Sequence, residues 1–265
     1  MADNYLTTEM KNSTNSEYNL QTENGVVLLT SENVYKVLAM ISYDSSYNKV
    51  YDKSAEYALK RNKKIVHKNC NDNDIFNYIG SSAYWFNSLI SSSKKDEYDE
   101  YRYCLYKAVC AVDNENSTHL NGGKGGGRID TWEVLCNIPY NKLLDMLQEE
   151  NKDLIEKITY AKTDRRNISF ASKFCHYACR NLLKEEYWDN YPIIDGVLKE
   201  VIPYYAEKYQ IEYNKDNYKS NDVITSYNEF VNIINNLSKK TKISRTGIDQ
   251  LLWYYYKGHN IPKAK

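Results

Sequence analysis

Past its midpoint the chain reads Asp164-Arg165-Arg166-Asn167-Ile168-Ser169-Phe170-Ala171-Ser172-Lys173-Phe174-Cys175-His176-Tyr177-Ala178-Cys179-Arg180. The small polar residues that open this stretch predict a turn, and Phe174, Tyr177 and Ala178 then share one face of a helix. A loop through Trp188 and Asn190 leads to Tyr191-Pro192-Ile193-Ile194-Asp195-Gly196, after which Val197 to Tyr209 has the spacing of an amphipathic helix. Toward the C-terminus, Asn214 to Asp222 is a polar loop and Val223 to Leu237 a further helix. Ile243 to Gly258 closes the fold, with Ile248, Leu251, Leu252 and Tyr255 on one side and Gly258 as its stop.

The same period extends toward the N-terminus. Tyr140 to Gln148 and Asp153 to Ala161 are helical in pattern, as are Asp72 to Ser91 and Glu97 to Val112. Ser54 to Lys64 reads as a helix with a basic end, and Ser31 starts another that carries Val34, Val37, Leu38 and Ile41. With four Pro in all and few alternating β-branched runs, the expected fold is mostly α. It is a helical single domain or two closely packed helical lobes. Residues 1–22 are polar and aperiodic, the pattern of a mobile tail. The lobes are expected at 23–120 and 129–265, separated by the Gly-rich stretch 121–128.

Composition limits what such a fold can be. The 265 residues hold 35 Lys+Arg against 35 Asp+Glu, and a hydrophobic fraction of 42% is enough for a buried core. Apolar runs such as Val26 to Leu29 are far too short to cross a bilayer, and no basic-then-apolar leader opens the chain. Six Cys at 70, 104, 110, 136, 175 and 179 form no C-x-x-C pair. They read as reduced thiols in a cytoplasm, and no metal or cofactor is called for. A net charge of zero removes the simplest argument for nucleic-acid binding but leaves room for local basic faces at 60–68, 162–166 and 239–245. The 27 Tyr beside 5 Phe fit an AT-rich coding bias, and equally a surface that stacks on bases.

Asn121 to Arg128 holds five of the ten glycines. It is a linker, or a backbone-rich phosphate contact with Lys124 and Arg128 as counter-charges; it does not match the nucleotide phosphate loop. Asp130 then caps a helix, with Glu133 closing a capping box. The consecutive Tyr84-Trp85-Phe86 cannot share one helix face, so at least one of the three is exposed or at an interface. Alone, Lys173 reads as a solvated lysine and Asp195 as an N-cap.

Taken together, the turn, the lysine near a helix start and Pro192-Ile193-Ile194-Asp195 at the head of the next helix resemble the helix-hairpin-helix DNA glycosylases, within them the 8-oxoguanine glycosylase-like branch. That family's hairpin has a Gly-x-Gly turn, one further residue and the catalytic Lys; here Ser169 and Ala171 stand for the glycines and Lys173 for the lysine. The family's short Pro-x-Asp element is matched with one residue inserted. The resemblance covers about 35 residues in detail and implies a helix-hairpin-helix glycosylase-like fold that binds duplex DNA with a modified base. It makes Lys173 the nucleophile of a Schiff-base mechanism and Asp195 the carboxylate that stabilises charge on the sugar. His176 and Trp253 would contact the extruded base. Arg165, Arg166, Ser169 and Arg180, with Lys124 and Arg128, would contact the strand. His176 and Arg180, one and two turns from Lys173, would supply the cation that lowers its pKa. Two other classes fit the same sequence: a nucleic-acid-binding module without chemistry, and a protein-interaction factor of a mobile element or phage-defence system.

Overall fold

The computed structural model describes residues 20–34, 36–37, 82–92, 98–116, 118–120, 127–162, 166–256 and 262. They are mostly helical. A two-residue antiparallel hairpin, β1 (Thr22–Glu23) with β2 (Val26–Val27), precedes α1 (Ser82–Ser92), α2 (Tyr98–Asn116), α3 (Gly127–Cys136), α4 (Tyr140–Gln148) and α5 (Lys152–Thr159). Then come α6 (Ile168–Leu182), a 3-10 turn at Glu185–Tyr187, α7 (Gly196–Lys208), the short α8 (Lys215–Tyr218), α9 (Val223–Thr241) and α10 (Arg245–Tyr256). The helix expected at Ser54 to Lys64 lies outside the described residues.

Three local expectations need correction. The stretch 214–222 is not all loop, because Asn214 Oδ1 accepts from Asp216 N and Asn217 N and so caps α8. Thr22 is not tail but strand: Asn24 and Gly25 both take positive φ (52° and 76°), the conformation an Asn-Gly hairpin turn demands. Asp130 does not cap α3. That helix begins three residues earlier at Gly127, so Asp130 falls in its first turn and no capping box forms.

The chain divides into two compact units, each discontinuous. The first comprises Phe76–Ile194 with Asn221–Tyr227; the second comprises Ala2–Ile75, Asp195–Ser220 and Asn228–Lys265. The Gly-rich stretch therefore does not separate them, since both its flanks belong to the first unit. A Cβ at Gly127 would lie 2.1 Å from the Leu120 carbonyl oxygen, so only glycine permits that approach. Asp113, buried on α2, accepts from Thr118 Oγ1, Leu120 N and Arg128 Nε, the last as a 2.7 Å ion pair.

In the first unit α6 is the helix that α1, α2, α4 and α5 pack around. Its buried Phe170, Ala171, Phe174, Cys175 and Ala178 recur at helical spacing and form the inward face. Phe174 lies 5.4 Å from Phe86 of α1 and 5.9 Å from Phe170, ring centre to ring centre. A fully buried side chain of this kind contributes about 2–3 kcal/mol.

In the second unit α7 and α10 pack together, with Val201, Ile202, Leu251 and Leu252 fully buried. Tyrosine hydroxyls fasten the N-terminal hairpin onto both helices. Tyr205 donates to Val27 O, Tyr255 donates to Gly25 O at 3.0 Å, and Tyr209 accepts the Leu29 N–H at 3.3 Å. A Cβ at Gly247 would meet Val34 Cγ1 at 3.1 Å, so α10 is trimmed where residue 34 packs. Part of the tyrosine excess thus serves as long rigid donors and acceptors for irregular backbone.

Candidate functional site

Asn151 opens α5 by accepting from Asp153 N and Leu154 N, and the helix ends at Thr159. Asn167 N–H donates to Thr159 O at 3.1 Å, closing the connection to α6. Asn167 occupies the cap position of α6 but makes no side-chain cap bond. Its Nδ2 and Thr159 Oγ1 are buried and find no partner among the described residues. Lys162, expected on a solvated basic face, is buried at 4% exposure, and its stem packs by Gly127.

The anticipated turn at Ser169–Ala171 is not a turn. Both residues are helical, in the first turn of α6, and Ser169 is not at positive φ. With a Cβ at each position the helical well is cheaper than the left-handed one that a Gly-x-Gly turn uses. Lys173 lies half-buried in the second turn of α6.

Asp195 does cap α7. Its backbone is extended, and Oδ1 accepts the Leu198 N–H at 2.9 Å, the one hydrogen bond on this carboxylate among the described residues. It belongs to the second unit and Lys173 to the first.

The segment before Asp195 is fastened residue by residue within the first unit. Asn190 Nδ2 donates to Leu147 O and Gln148 O, both at 3.1 Å. Tyr191 N–H donates to Glu150 Oε1 at 3.1 Å, and its hydroxyl donates to Met146 O at 2.7 Å. Pro192 O accepts from Tyr227 Oη at 3.1 Å, and Ile194 N–H donates to Ser172 Oγ at 3.2 Å. The Ser172 hydroxyl in turn donates to Ser169 O. Tyr191 sits at φ 55° although a proline follows, where extended backbone is the norm. Such strain costs about 1–2 kcal/mol and persists only where the surroundings fix it.

His176 belongs to the same fastening. Its ring is 3% exposed, hydrogen-bonds the backbone of Asn190 and Tyr191, and leaves Nδ1 without a partner among the described residues. Burial, reinforced by Arg180, lowers its pKa to about 4 against the weaker pull of Asp189. At neutral pH it is uncharged, so it is not the cation expected beside Lys173. Arg180 is exposed in the last turn of α6.

The remaining expected contacts are scattered. Arg166 is exposed, its guanidinium 4.7 Å from the Tyr160 ring centre. Arg128 is committed to Asp113 and to Asn114 Oδ1. Trp253 is half-buried on α10, in the second unit. Lys124 and Arg165 lie outside the described residues. The third basic stretch borders an open cleft of about 590 Å³ in the second unit, lined by Gln210, Ile211, Glu212, Asn236, Lys239 and Lys240. Among the described residues Cys104, Cys110, Cys136, Cys175 and Cys179 are free thiols. No group of metal-ligating side chains gathers there, and no described helix is long and apolar enough to cross a membrane.

No family model, curated protein or solved structure matches the chain. Sequence reading missed Ser172, Asn190, Tyr191 and Glu150, all of which act through backbone contacts that periodicity cannot register. The one local signal, Pro192, argues against the conformation that Tyr191 adopts.

Proposed function

We propose that the chain is a DNA glycosylase with lyase activity, excising a damaged or modified base with the amine of Lys173 and the carboxylate of Asp195. The observation that carries this reading is the Ile194 N–H donated to Ser172 Oγ at 3.2 Å: the residue before the amine is bonded to the residue before the acid. The N-cap conformation of Asp195 supports it as well, because the bond from Leu198 N–H fixes the carboxylate at the start of α7.

The chemistry follows from the two groups. A neutral Lys173 Nζ bonds to the sugar C1′ as the C1′–N bond breaks and the base leaves with the electron pair, taking up a proton. Asp195 stabilises the positive charge that builds on the sugar. Ring opening gives a protonated imine, and loss of a C2′ proton then expels the 3′ phosphate. The target base must leave the helix stack first, at a cost of a few kcal/mol.

Borohydride trapping on lesion-bearing duplexes tests this reading. A covalent adduct that Lys173→Ala abolishes and Asp195→Asn slows is expected. No adduct with any lesion, or one indifferent to Lys173→Ala, overturns it. The helical conformation of Ser169–Ala171 favours a second reading, a nucleic-acid-binding module without chemistry. That reading expects salt-dependent duplex binding, no strand products and no effect of Asp195→Asn.

A further inference from the structure

The tip of the N-terminal hairpin differs chemically from the rest of the second unit. Asn24 is followed by Gly25, both are exposed, and the Asn24 carboxamide makes no hydrogen bond among the described residues. A Cβ at Gly25 would meet nothing within 4 Å, so water and base reach the Asn24-Gly25 peptide from outside. Asn33, by contrast, is fully engaged. Its Oδ1 accepts the Gln21 N–H and its Nδ2 donates to Gln21 O and Leu28 O, each at 2.8 Å, which pins the neck of the hairpin.

The fastening weakens from neck to tip. Behind the tip, Val27 is fully buried and its carbonyl accepts from Tyr205. The tip itself has one hydroxyl, Tyr255 Oη on Gly25 O at 3.0 Å, and a Lys208–Glu23 ion pair at 2.8 Å. The Glu23 carboxylate of that pair is 62% exposed, where such a pair holds little. A two-residue turn with positive φ at both Asn24 and Gly25 is of type I′, in which the first central residue has ψ of about +30°. That torsion turns the Gly25 nitrogen away from the Asn24 side chain.

We propose that Asn24-Gly25 is a site of spontaneous modification, at which asparagine becomes iso-aspartate and the hairpin tip is unfastened from α10. When the tip opens, the Gly25 backbone nitrogen gives its proton to base and bonds to Asn24 Cγ. The Cγ–Nδ2 bond breaks, and ammonia leaves with a proton from water. Glycine favours the step because no Cβ crowds the attacking nitrogen. Water then opens the cyclic imide. Attack at the backbone carbonyl carbon breaks its bond to the Gly25 nitrogen and leaves a free α-carboxylate, while the main chain now runs through Cβ and Cγ. The chain is one methylene longer there and no longer closes a two-residue turn. Gly25 O is thereby withdrawn from the Tyr255 hydroxyl, and a new carboxylate stands beside Glu23. The docked turn protects Asn24, and the reaction removes the turn that protected it, so the release runs one way. The proposal is independent of the Lys173 chemistry and survives if trapping fails.

Peptide mapping of the full-length chain, aged in mildly alkaline buffer with and without denaturing urea, tests it. The readouts are the mass gain of amide-to-acid exchange and labelling by an iso-aspartate methyltransferase. The chain's other Asn-Gly, Asn121-Gly122, is resolved on a separate peptide. Asn24 is expected to convert in the folded chain, more slowly than in urea. Tyr255→Phe is expected to speed the folded conversion about 2- to 10-fold, the effect of one hydrogen bond on local opening. The converted protein, separated by ion exchange, is expected to lose hydrogen-exchange protection at the amides of 22–27. The proposal is overturned if the folded chain shows no conversion at Asn24, or converts as fast as the chain in urea. It is equally overturned if Tyr255→Phe leaves the rate unchanged, or if the converted protein keeps the parent's protection at 22–27.

Discussion

Asn190–Ile194 in the first unit and Gln21–Thr30 in the second are both short departures from helix, and in both the irregular backbone is bonded by side chains. They differ in what the bonds hold. The second segment places its positive φ on Asn24 and Gly25, residues that tolerate it, and its tyrosine contacts dock a relaxed hairpin onto distant helices. The first places positive φ on a tyrosine before a proline, and its bonds hold a conformation that the local sequence disfavours. Strain of this kind collects where geometry has a use, and the segment that carries it leads directly to Asp195. The hairpin reads as structural docking, whereas the loop reads as enforced positioning.

The sharpest test of that difference is at Tyr191. Tyr191→Ala removes a ring that is 2% exposed together with the hydroxyl bonded to Met146 O, and is expected to cost about 3–5 kcal/mol. Tyr191→Gly should be about 1 kcal/mol more stable than Tyr191→Ala, inverting the usual order, because glycine adopts φ 55° without strain. Urea titrations of the two variants decide it. If alanine is the more stable, the strain is not there.

Acid separates the two segments next. The folded protein holds His176 neutral, with a pKa lowered from 6.5 to about 4, so in that interval the unfolded chain binds a proton that the folded one does not. Stability through this residue is complete above about 6.5 and is lost as the pH falls toward 4, by up to about 3 kcal/mol. Arg180 and Asp189 are the charged groups that bear on the ring. Denaturant unfolding at pH 7 and pH 4.5, compared between the parent and His176→Gln, measures it. An equal loss in both chains would remove the residue from the account. The hairpin has no such acid limb through its tyrosines. Through the tyrosines the sensitivity is alkaline: burial raises Tyr256 to about 12, so that contribution declines as pH climbs from 10 through 12.

Tyr205→Phe probes the hairpin's strongest contact. The change leaves Val27 O and the Tyr256 hydroxyl each short of a partner and is expected to cost about 1–3 kcal/mol, with no change in the acid limb. Loss of protection at the amides of 21–30 in hydrogen exchange, with those of 190–194 unchanged, would confirm that the two segments are fastened separately.

The fold class could be read from the sequence because helix period is a local property: Phe174 and Ala178 announce the inward face of α6 wherever it packs, although Tyr177, expected on that face, is not among its buried residues. The Asp195 cap was likewise readable, from a short polar side chain ahead of an apolar run. Ser169–Ala171 misled because the reading matched positions to a turn whose geometry depends on glycine, and a Cβ at both positions restores helix. His176 could be found but not its charge, since burial sets the pKa and burial belongs to the tertiary fold. The two discontinuous units were illegible for the same reason, since a boundary at Ile194 carries no Gly or Pro run of its own. Asn24-Gly25 was legible and overlooked, being the dipeptide that turns two short apolar-flanked strands.

Tyr209 gives the smallest effect and the finest discrimination. Its hydroxyl accepts the Leu29 N–H at 3.3 Å, near the long end for such a bond, and the ring is only half-buried, so water can reach the site. Tyr209→Phe should therefore cost about 0.5–1 kcal/mol, well under Tyr205→Phe, although Tyr209 follows directly on α7 as its C-cap and its ring stacks on that of Tyr205 at 6.3 Å. If the two variants cost the same, the hairpin is held by the stacked rings and not by their hydroxyls. The docking would then resemble core packing, in wider contrast with the bond-by-bond fastening of Asn190–Ile194. If Tyr209→Phe is the milder and the double variant is close to additive, each hydroxyl acts alone on its own backbone group.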